Sequence, residues 1–155
     1  MKLGDVLRKE RERKKLRTKD VAAHLGIPDD KYTELEAGTS PIEEWGPKLA
    51  LIAIKLSSPT SRLISQTGMP AQAKQRAGQC GKLIMSRREE LGVTREALAK
   101  KLDWTVEEVT LVEEGKSPIE EYAPLLLQFA ETVAQPVFNL FYPCGLPFDK
   151  LNDYP

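Results

Sequence analysis

The segment "LRTKDVAAHLGIPDDKYTELEAG" at residues 16–38 decides the fold of this chain. Its apolar residues recur at the three- and four-residue intervals of amphipathic helices, without the alternation typical of strands. Gly26 and Gly38 stand where two short helices should stop, because glycine readily adopts the conformation that ends a helix. The segment therefore predicts helices near 18–25 and 29–36, joined by a tight turn.

Related residues recur 77 positions further along the chain. An ungapped comparison of residues 3–64 with residues 80–141 gives 18 identities in 62 positions. The phrase "SPIEEW" at 40–45 returns as "SPIEEY" at 117–122, and the opening segment returns as "VTREALAKKLDWTVEEVTLVEEG" at 93–115. Self-similarity over this length predicts two homologous domains in tandem.

Composition between and after the copies suggests how the chain is divided. A polar stretch containing Gly and Ala separates them and is typical of a linker, and the last residues are rich in proline. We expect a first domain at 1–64, a linker at 65–79, a second domain at 80–141 and an extended C-terminal tail at 142–155. The tail residues Leu146 and Phe148 are expected to dock on a neighbouring surface.

The repeated phrase has the chemistry of a helix start. Ser40 can serve as the N-cap, Pro41 suits the first helical position, and Glu43 can complete a capping box. Pro47 follows, where a continuing helix would lose a hydrogen bond, so a single turn and then a break are predicted. The same residue types recur in the second copy.

Each copy should therefore be all-α, with five helices. In addition to the two helices above, the first copy should contain helices near 3–14, 47–56 and 60–64, and the second copy should contain their equivalents 77 residues later.

Composition excludes several classes of protein. The 155 residues are 41% hydrophobic and 30% charged, which is typical of a globular protein, and the longest apolar stretches are too short to span a bilayer. Two cysteines without a CxxC spacing, and a charged N-terminus, favour a reduced, cytoplasmic setting. The net charge is zero, but residues 1–64 carry 13 Lys and Arg against 10 Asp and Glu, whereas 80–141 carry 7 against 11.

The order of elements in both copies resembles the lambda-repressor-like (Cro/cI, Xre-type) helix-turn-helix family. The resemblance is carried by Ala22 and Leu25, by the Glu-x-Gly that ends at Gly38, by their equivalents in the second copy, and by the closing "VAQPVFNLFYP". It implies two tandem five-helix domains. It also implies that an arginine on the first helix pairs with the glutamate that ends the recognition helix, and the matching residues are Arg11 with Glu36 and Arg88 with Glu113.

In that family the second helix of the motif enters the DNA major groove and presents its N-terminal residues to the bases. The resemblance places six residues there: Asp29, Asp30, Glu34, Val106, Glu107 and Leu111. The typical base contact of a carboxylate in the major groove is the amino group of cytosine, and carboxylates oppose the attraction to phosphate that supplies most non-specific affinity.

Contacts to phosphate are implied at the start of the motif's first helix, where the matching residues are Arg17, Thr18, Lys19 and Arg95. The turn into the fourth helix, another phosphate-contacting region, carries glutamates instead: Glu43, Glu44, Glu120 and Glu121. We therefore favour a regulatory protein that binds a protein partner. The alternative is a DNA-binding regulator that uses its two repeats as a built-in pair on adjacent half-sites.

Other features leave the nature of the partner open. The basic run at residues 8–19 is either a patch for nucleic acid or an acidic partner, or a solvated helix face with charge pairs one turn apart. If Trp104 is exposed, it forms with Val106 and Leu111 an apolar patch of the kind that marks a partner site. No catalytic residue, metal site, cofactor or membrane contact is predicted, and both a homodimer and an internal pseudo-dimer remain open.

Overall fold

The computed structural model describes residues 1–68 and 79–144, and this part of the chain is all-α. The described residues do not include linker residues 69–78. They also do not include Leu146 and Phe148, so the predicted docking of these two side chains lies outside them. The helices, numbered in chain order, are α1 Leu3–Arg13, α2 Thr18–Leu25, α3 Asp29–Ala37, α4 Ile42–Lys55, α5 Thr60–Ile64, α6 Cys80–Glu90, α7 Arg95–Leu102, α8 Val106–Glu113 and α9 Ile119–Thr132. Two short 3-10 helices follow at Val137–Leu140 and Tyr142–Cys144.

The two helices predicted from the opening segment are confirmed as α2 and α3. Both end at a glycine in the left-handed region, Gly26 with φ +71° and Gly38 with φ +77°. In the second copy α7 ends at Asp103, which adopts the same conformation with φ +60°. The turn between the motif's helices therefore keeps its geometry in both copies, although only the first has the glycine.

The predicted break at Pro47 is wrong. Helix α4 continues through Pro47, and α9 continues through Pro124. A proline inside a helix costs about 3 kcal/mol or more. The helix nevertheless buries Ile42 before the proline and Leu49 after it, each only 1% exposed. A break would take one of these side chains out of the core, so tertiary packing offsets the local cost.

The serine of the repeated phrase caps its own helix. The Ser40 hydroxyl accepts a hydrogen bond from the Ile42 N–H at 3.3 Å, and Ser117 accepts one from Ile119 at the same distance. This part of the sequence-based prediction is confirmed, because a serine oxygen satisfies a backbone donor that the helix leaves unpaired.

The first glutamate of the phrase does not complete the predicted capping box. Glu43 instead accepts a hydrogen bond from the Gly4 N–H, 3.0 Å away at the start of α1. Glu120 likewise accepts from the Gly81 N–H at 2.7 Å and from the Cys80 N–H at 3.2 Å, at the start of α6. The carboxylate reaches another helix because the first turn of that helix presents unpaired N–H groups and a favourable dipole.

Helices of the two copies pack against each other in one core. Helix α4 packs on α9, and each of these also packs on the first motif helix of the other copy: α4 on α7, and α9 on α2. Across this contact the buried ring of Tyr32 stacks on that of Phe129, with centroids 6.4 Å apart. No helix in the described residues is both long and apolar enough to cross a membrane.

The two cysteines are expected to differ in reactivity. Cys80 is buried and Cys144 is half-buried, and burial raises the pKa of both thiols. Because the thiolate is the reactive form, a soluble thiol reagent should modify Cys144 about 100-fold faster than Cys80 in the native protein. Labelling rates of the Cys80→Ser and Cys144→Ser variants separate the two sites. Equal native rates would contradict the packing of Cys80 at the start of α6.

Candidate partner-binding face

A bidentate ion pair holds the motif of the first copy on α1. Arg11 Nε lies 2.6 Å from Glu36 Oε2, and Arg11 Nη2 lies 3.0 Å from Glu36 Oε1. A third guanidinium hydrogen bond reaches the Leu16 carbonyl at 3.0 Å. The hydrogen bond to Glu36 raises the pKa of Arg11. This is the pairing that the family resemblance implies, and it fixes the end of α3 against α1.

The second copy contains the same pair and adds a further arginine to it. Arg88 Nε lies 2.7 Å from Glu113 Oε2, and Arg95 Nε lies 3.0 Å from Glu113 Oε1. The Glu113 side chain has no exposed surface. Arg95 was predicted to contact phosphate, and the structure places its guanidinium on this buried carboxylate.

The remaining residues predicted to contact phosphate lie at the start of α2. Arg17 is paired with Asp20 through contacts of 3.2 Å, and the side-chain hydrogen bond from Arg17 lowers the pKa of Asp20. Thr18 is half-buried and Lys19 is exposed. Among the described residues, Lys19 is thus the one predicted phosphate contact whose charge has no ion-pair partner.

The predicted recognition residues lie on α3 and α8, and five of the six are exposed, while Val106 is half-buried. Glu108, which the sequence analysis did not single out, is also exposed and closes a capping box with Thr105 at the start of α8. The Thr-x-x-Glu spacing is a recognisable signal for this box. The two helices together present five exposed carboxylates: Asp29, Asp30, Glu34, Glu107 and Glu108.

The single cation on these two helices is neutralised by the other copy. Lys31 Nζ on α3 lies 2.6 Å from Glu121 Oε1 on α9, and this hydrogen bond raises the pKa of Lys31. The ammonium also lies 5.8 Å from the centre of the Tyr122 ring. Sequence reasoning missed the pair because its members are 90 positions apart. It gives a structural role to the second glutamate of the repeated phrase.

Trp104 is not exposed, so it does not form the hypothesised apolar patch with Val106 and Leu111. Trp104 is half-buried and packs edge-to-face on Trp45 of the other copy, with ring centroids 6.5 Å apart. Lys48 Nζ lies 4.2 Å from the Trp45 ring centre and 5.5 Å from that of Trp104. Burying a large aromatic surface between the copies is more favourable than exposing it. Leu111 remains 48% exposed, without the tryptophan beside it.

Two side-chain contacts join the motif of each copy to the start of the fourth helix of the other copy. The first turns of α4 and α9 meet around Trp45 and Tyr122. Lys31 joins α3 to the start of α9, and Trp104 joins the turn before α8 to the start of α4. We call the exposed carboxylates of α3, of α8 and of the first turns of α4 and α9 the acidic face: Asp29, Asp30, Glu34, Glu44, Glu107, Glu108 and Glu121.

Comparison with known families identifies the first motif. Residues 2–47 match a family described as a helix-turn-helix domain, which confirms the helix-turn-helix prediction for α1 to α3 and the start of α4. No curated protein and no solved structure matches the chain. The first copy is therefore a helix-turn-helix domain, the class of module that typically regulates transcription by binding DNA.

Proposed function

We propose that this chain is a non-enzymatic, cytoplasmic regulatory protein made of two tandem Xre-like helix-turn-helix units, and that it binds a basic protein partner through the acidic face. One observation carries the proposal. The two helices that read bases in the family present five exposed carboxylates, and their one cation, Lys31, is already paired with Glu121.

Electrostatics opposes DNA at this face. A duplex carries one negative charge per about 1.7 Å of its axis, and affinity for it normally comes from Lys and Arg that displace counterions. Here Asp29, Asp30 and Glu34 would enter the groove between the phosphate strands. Arg17 and Arg95, which the resemblance offers as compensating phosphate contacts, are engaged with Asp20 and Glu113.

The same charges suit a partner that carries lysines or arginines. Complementary potentials accelerate the encounter of two proteins and exclude partners of like charge, and their effect weakens as salt rises. Leu111, exposed beside Glu107 and Glu108, adds an apolar contact at the edge of the face. A basic surface with an apolar group at its edge is therefore the expected complement.

Fluorescence anisotropy with two probes tests the proposal: a labelled arginine-rich peptide, and a labelled mixed-sequence DNA duplex of the same length scale. We expect the peptide to bind with an affinity that falls as salt rises, and the duplex to remain unbound at about 10 µM protein near physiological salt.

Two variants of equal charge show whether binding depends on the acidic face. The variant Asp29→Asn, Asp30→Asn, Glu34→Gln should weaken peptide binding about 10-fold or more, because it removes three charges from the face. The control Glu12→Gln, Glu89→Gln, Glu131→Gln removes three exposed charges outside the acidic face and should leave binding within about 2-fold. Equal losses in the two variants would mean that the peptide responds only to net charge.

The alternative, a DNA-binding regulator, rests on the helix-turn-helix match and on exposed lysines at the start of the motif, Lys14, Lys15 and Lys19. Duplex binding tighter than about 10 µM, with a steep loss of affinity as salt rises, would favour this alternative. In that case, replacing these three lysines by glutamine should make the fall of log affinity with log salt concentration less steep, by an amount that corresponds to up to about three phosphate contacts.

A further inference from the structure

Most contacts between the copies are reciprocal. The contact of α9 with α2 has its counterpart in the contact of α4 with α7, and the contact of α5 with α6 has its counterpart in the contact of Val137–Leu140 with α1. Helix α4 meets its own counterpart, α9. When element i of one unit touches element j of the other, and j touches i, the two units are related as in a twofold symmetric dimer.

Two arginines connect the copies at matching places. Arg13 Nη2 on α1 donates to the carbonyl of Val133, the residue that ends α9, at 3.0 Å. Arg87 on α6 donates to the carbonyls of Leu56 and Ser57, which end α4, at 3.1 and 3.0 Å. A cation at a helix carboxyl end satisfies unpaired carbonyls and the negative end of the dipole. Each copy therefore caps the fourth helix of the other.

The residues that make these caps are not the same in the two copies. Arg13 is held by Glu10 at 3.0 Å, and Arg87 is held by Glu90 at 2.8 Å. Position 10 corresponds to 87 and position 13 to 90, so the arginine and the glutamate have exchanged places between the copies. Each copy thus provides an arginine that caps the fourth helix of the other copy, although the arginine occupies a different position in each. This indicates that the cap contributes to the pairing of the copies.

We propose that the two copies form an intramolecular dimer, in which the second copy covers the surface made by α4 and α5 of the first copy. This pairing takes the place of dimerisation between chains. It persists without the covalent link, because Tyr32 stacks on Phe129, Trp45 packs on Trp104, and the two arginine caps lie outside the linker.

Charge disfavours pairing between the second copies of two chains. Lys31 meets Glu121 across the contact, and the residue that corresponds to Lys31 in the second copy is Glu108. If the second copies of two chains paired in the same way, Glu108 would face Glu121 and the two carboxylates would repel each other. The covalent link gives the two copies of one chain a high effective concentration, so they pair with each other and the chain is a monomer in solution.

The experiment uses the full chain with a protease recognition sequence in place of residues 71–77. The folded protein is cut at that site and then studied at about 1 µM by size-exclusion chromatography with light scattering, a concentration at which weak encounters dissociate. We expect the uncut chain to have the mass of one chain, and the two fragments to elute together with that same mass. Separate elution of the fragments, or a dimeric uncut chain, would overturn the proposal.

Paired variants test the arginine caps in the cut protein. Arg13→Ala with Arg87→Ala should raise the dissociation constant of the fragments about 10-fold or more, since charged hydrogen bonds across the contact are lost. The control Arg8→Ala with Arg62→Ala removes two arginines whose hydrogen bonds stay within the first copy, and it should change the constant less than about 2-fold. Equal dissociation constants for the two variants would contradict the role of the caps.

Discussion

The variant Glu113→Ala is expected to lose about 3–5 kcal/mol of unfolding free energy, the cost of removing one partner from a buried ion pair. Glu113 is the shared acceptor of Arg88 and Arg95, and its side chain is fully buried. Without it, the guanidinium of Arg88, only 10% exposed, keeps its charge and loses two hydrogen bonds. Urea denaturation followed by circular dichroism measures the change.

The network offers a matched control. Arg95→Ala removes the outer arginine, which is 35% exposed, and leaves the pair of Arg88 with Glu113 intact. Its cost should stay within about 1 kcal/mol, because solvent screens a partly exposed ion pair. If Glu113→Ala were as mild as Arg95→Ala, the buried carboxylate would not be the group that holds α8 on α6.

The second large effect is expected for Gly81→Ala, which should destabilise the protein by about 2–3 kcal/mol through overpacking. A β-carbon at residue 81 would collide with the Val112 carbonyl and lie 2.9 Å from the Glu113 carbonyl. In the first copy, a β-carbon at Gly4 would lie 2.5 Å from the Glu36 carbonyl. These obstacles are backbone atoms of α8 and α3, so the first helix of each copy would have to move away.

Gly46→Ala is the control for this prediction. Its nearest obstacle is the end of the Leu3 side chain at 2.8 Å, which can rotate, and the second copy already has alanine at the equivalent position, Ala123. We expect a loss within about 1 kcal/mol in thermal unfolding, because flexible neighbours relieve overpacking. Similar losses for Gly46→Ala and Gly81→Ala would show that the close helix approach is not decisive.

Much of the local structure could be predicted from the sequence. Glycines at 26 and 38 and the apolar spacing between them were sufficient to place α2 and α3, because local conformational preference and burial agree there. The serine cap at Ser40 followed from the same local chemistry. Where local preference and packing conflict, as at Pro47, the prediction failed, because a propensity of a few kcal/mol is overridden by burial of both ends of α4.

The candidate site was predictable in its residues and not in its surroundings. Four of the five exposed carboxylates on α3 and α8, all except Glu108, were implied by the resemblance to the helix-turn-helix family. Two contacts between the copies could not be predicted, because their members are far apart in the sequence: the ion pair of Lys31 with Glu121 and the packing of Trp45 on Trp104. The hydrogen bond from the Gly4 N–H of α1 to Glu43 could not be predicted either. Glu43 could equally well have accepted a hydrogen bond from the backbone at the start of its own helix.

The sequence by itself determined that this protein is helical, that it contains two similar segments in tandem, and that its motif helices are acidic. Each of these properties can be read from the residue types along the chain. Only the tertiary structure decided what the glutamates of the repeated phrase do: the first caps a second helix, and in one copy the second holds Lys31. It also decided that Trp104 belongs to the contact between copies. The physical reason is that a side chain selects among distant partners only after the core has brought them within hydrogen-bonding or van der Waals distance.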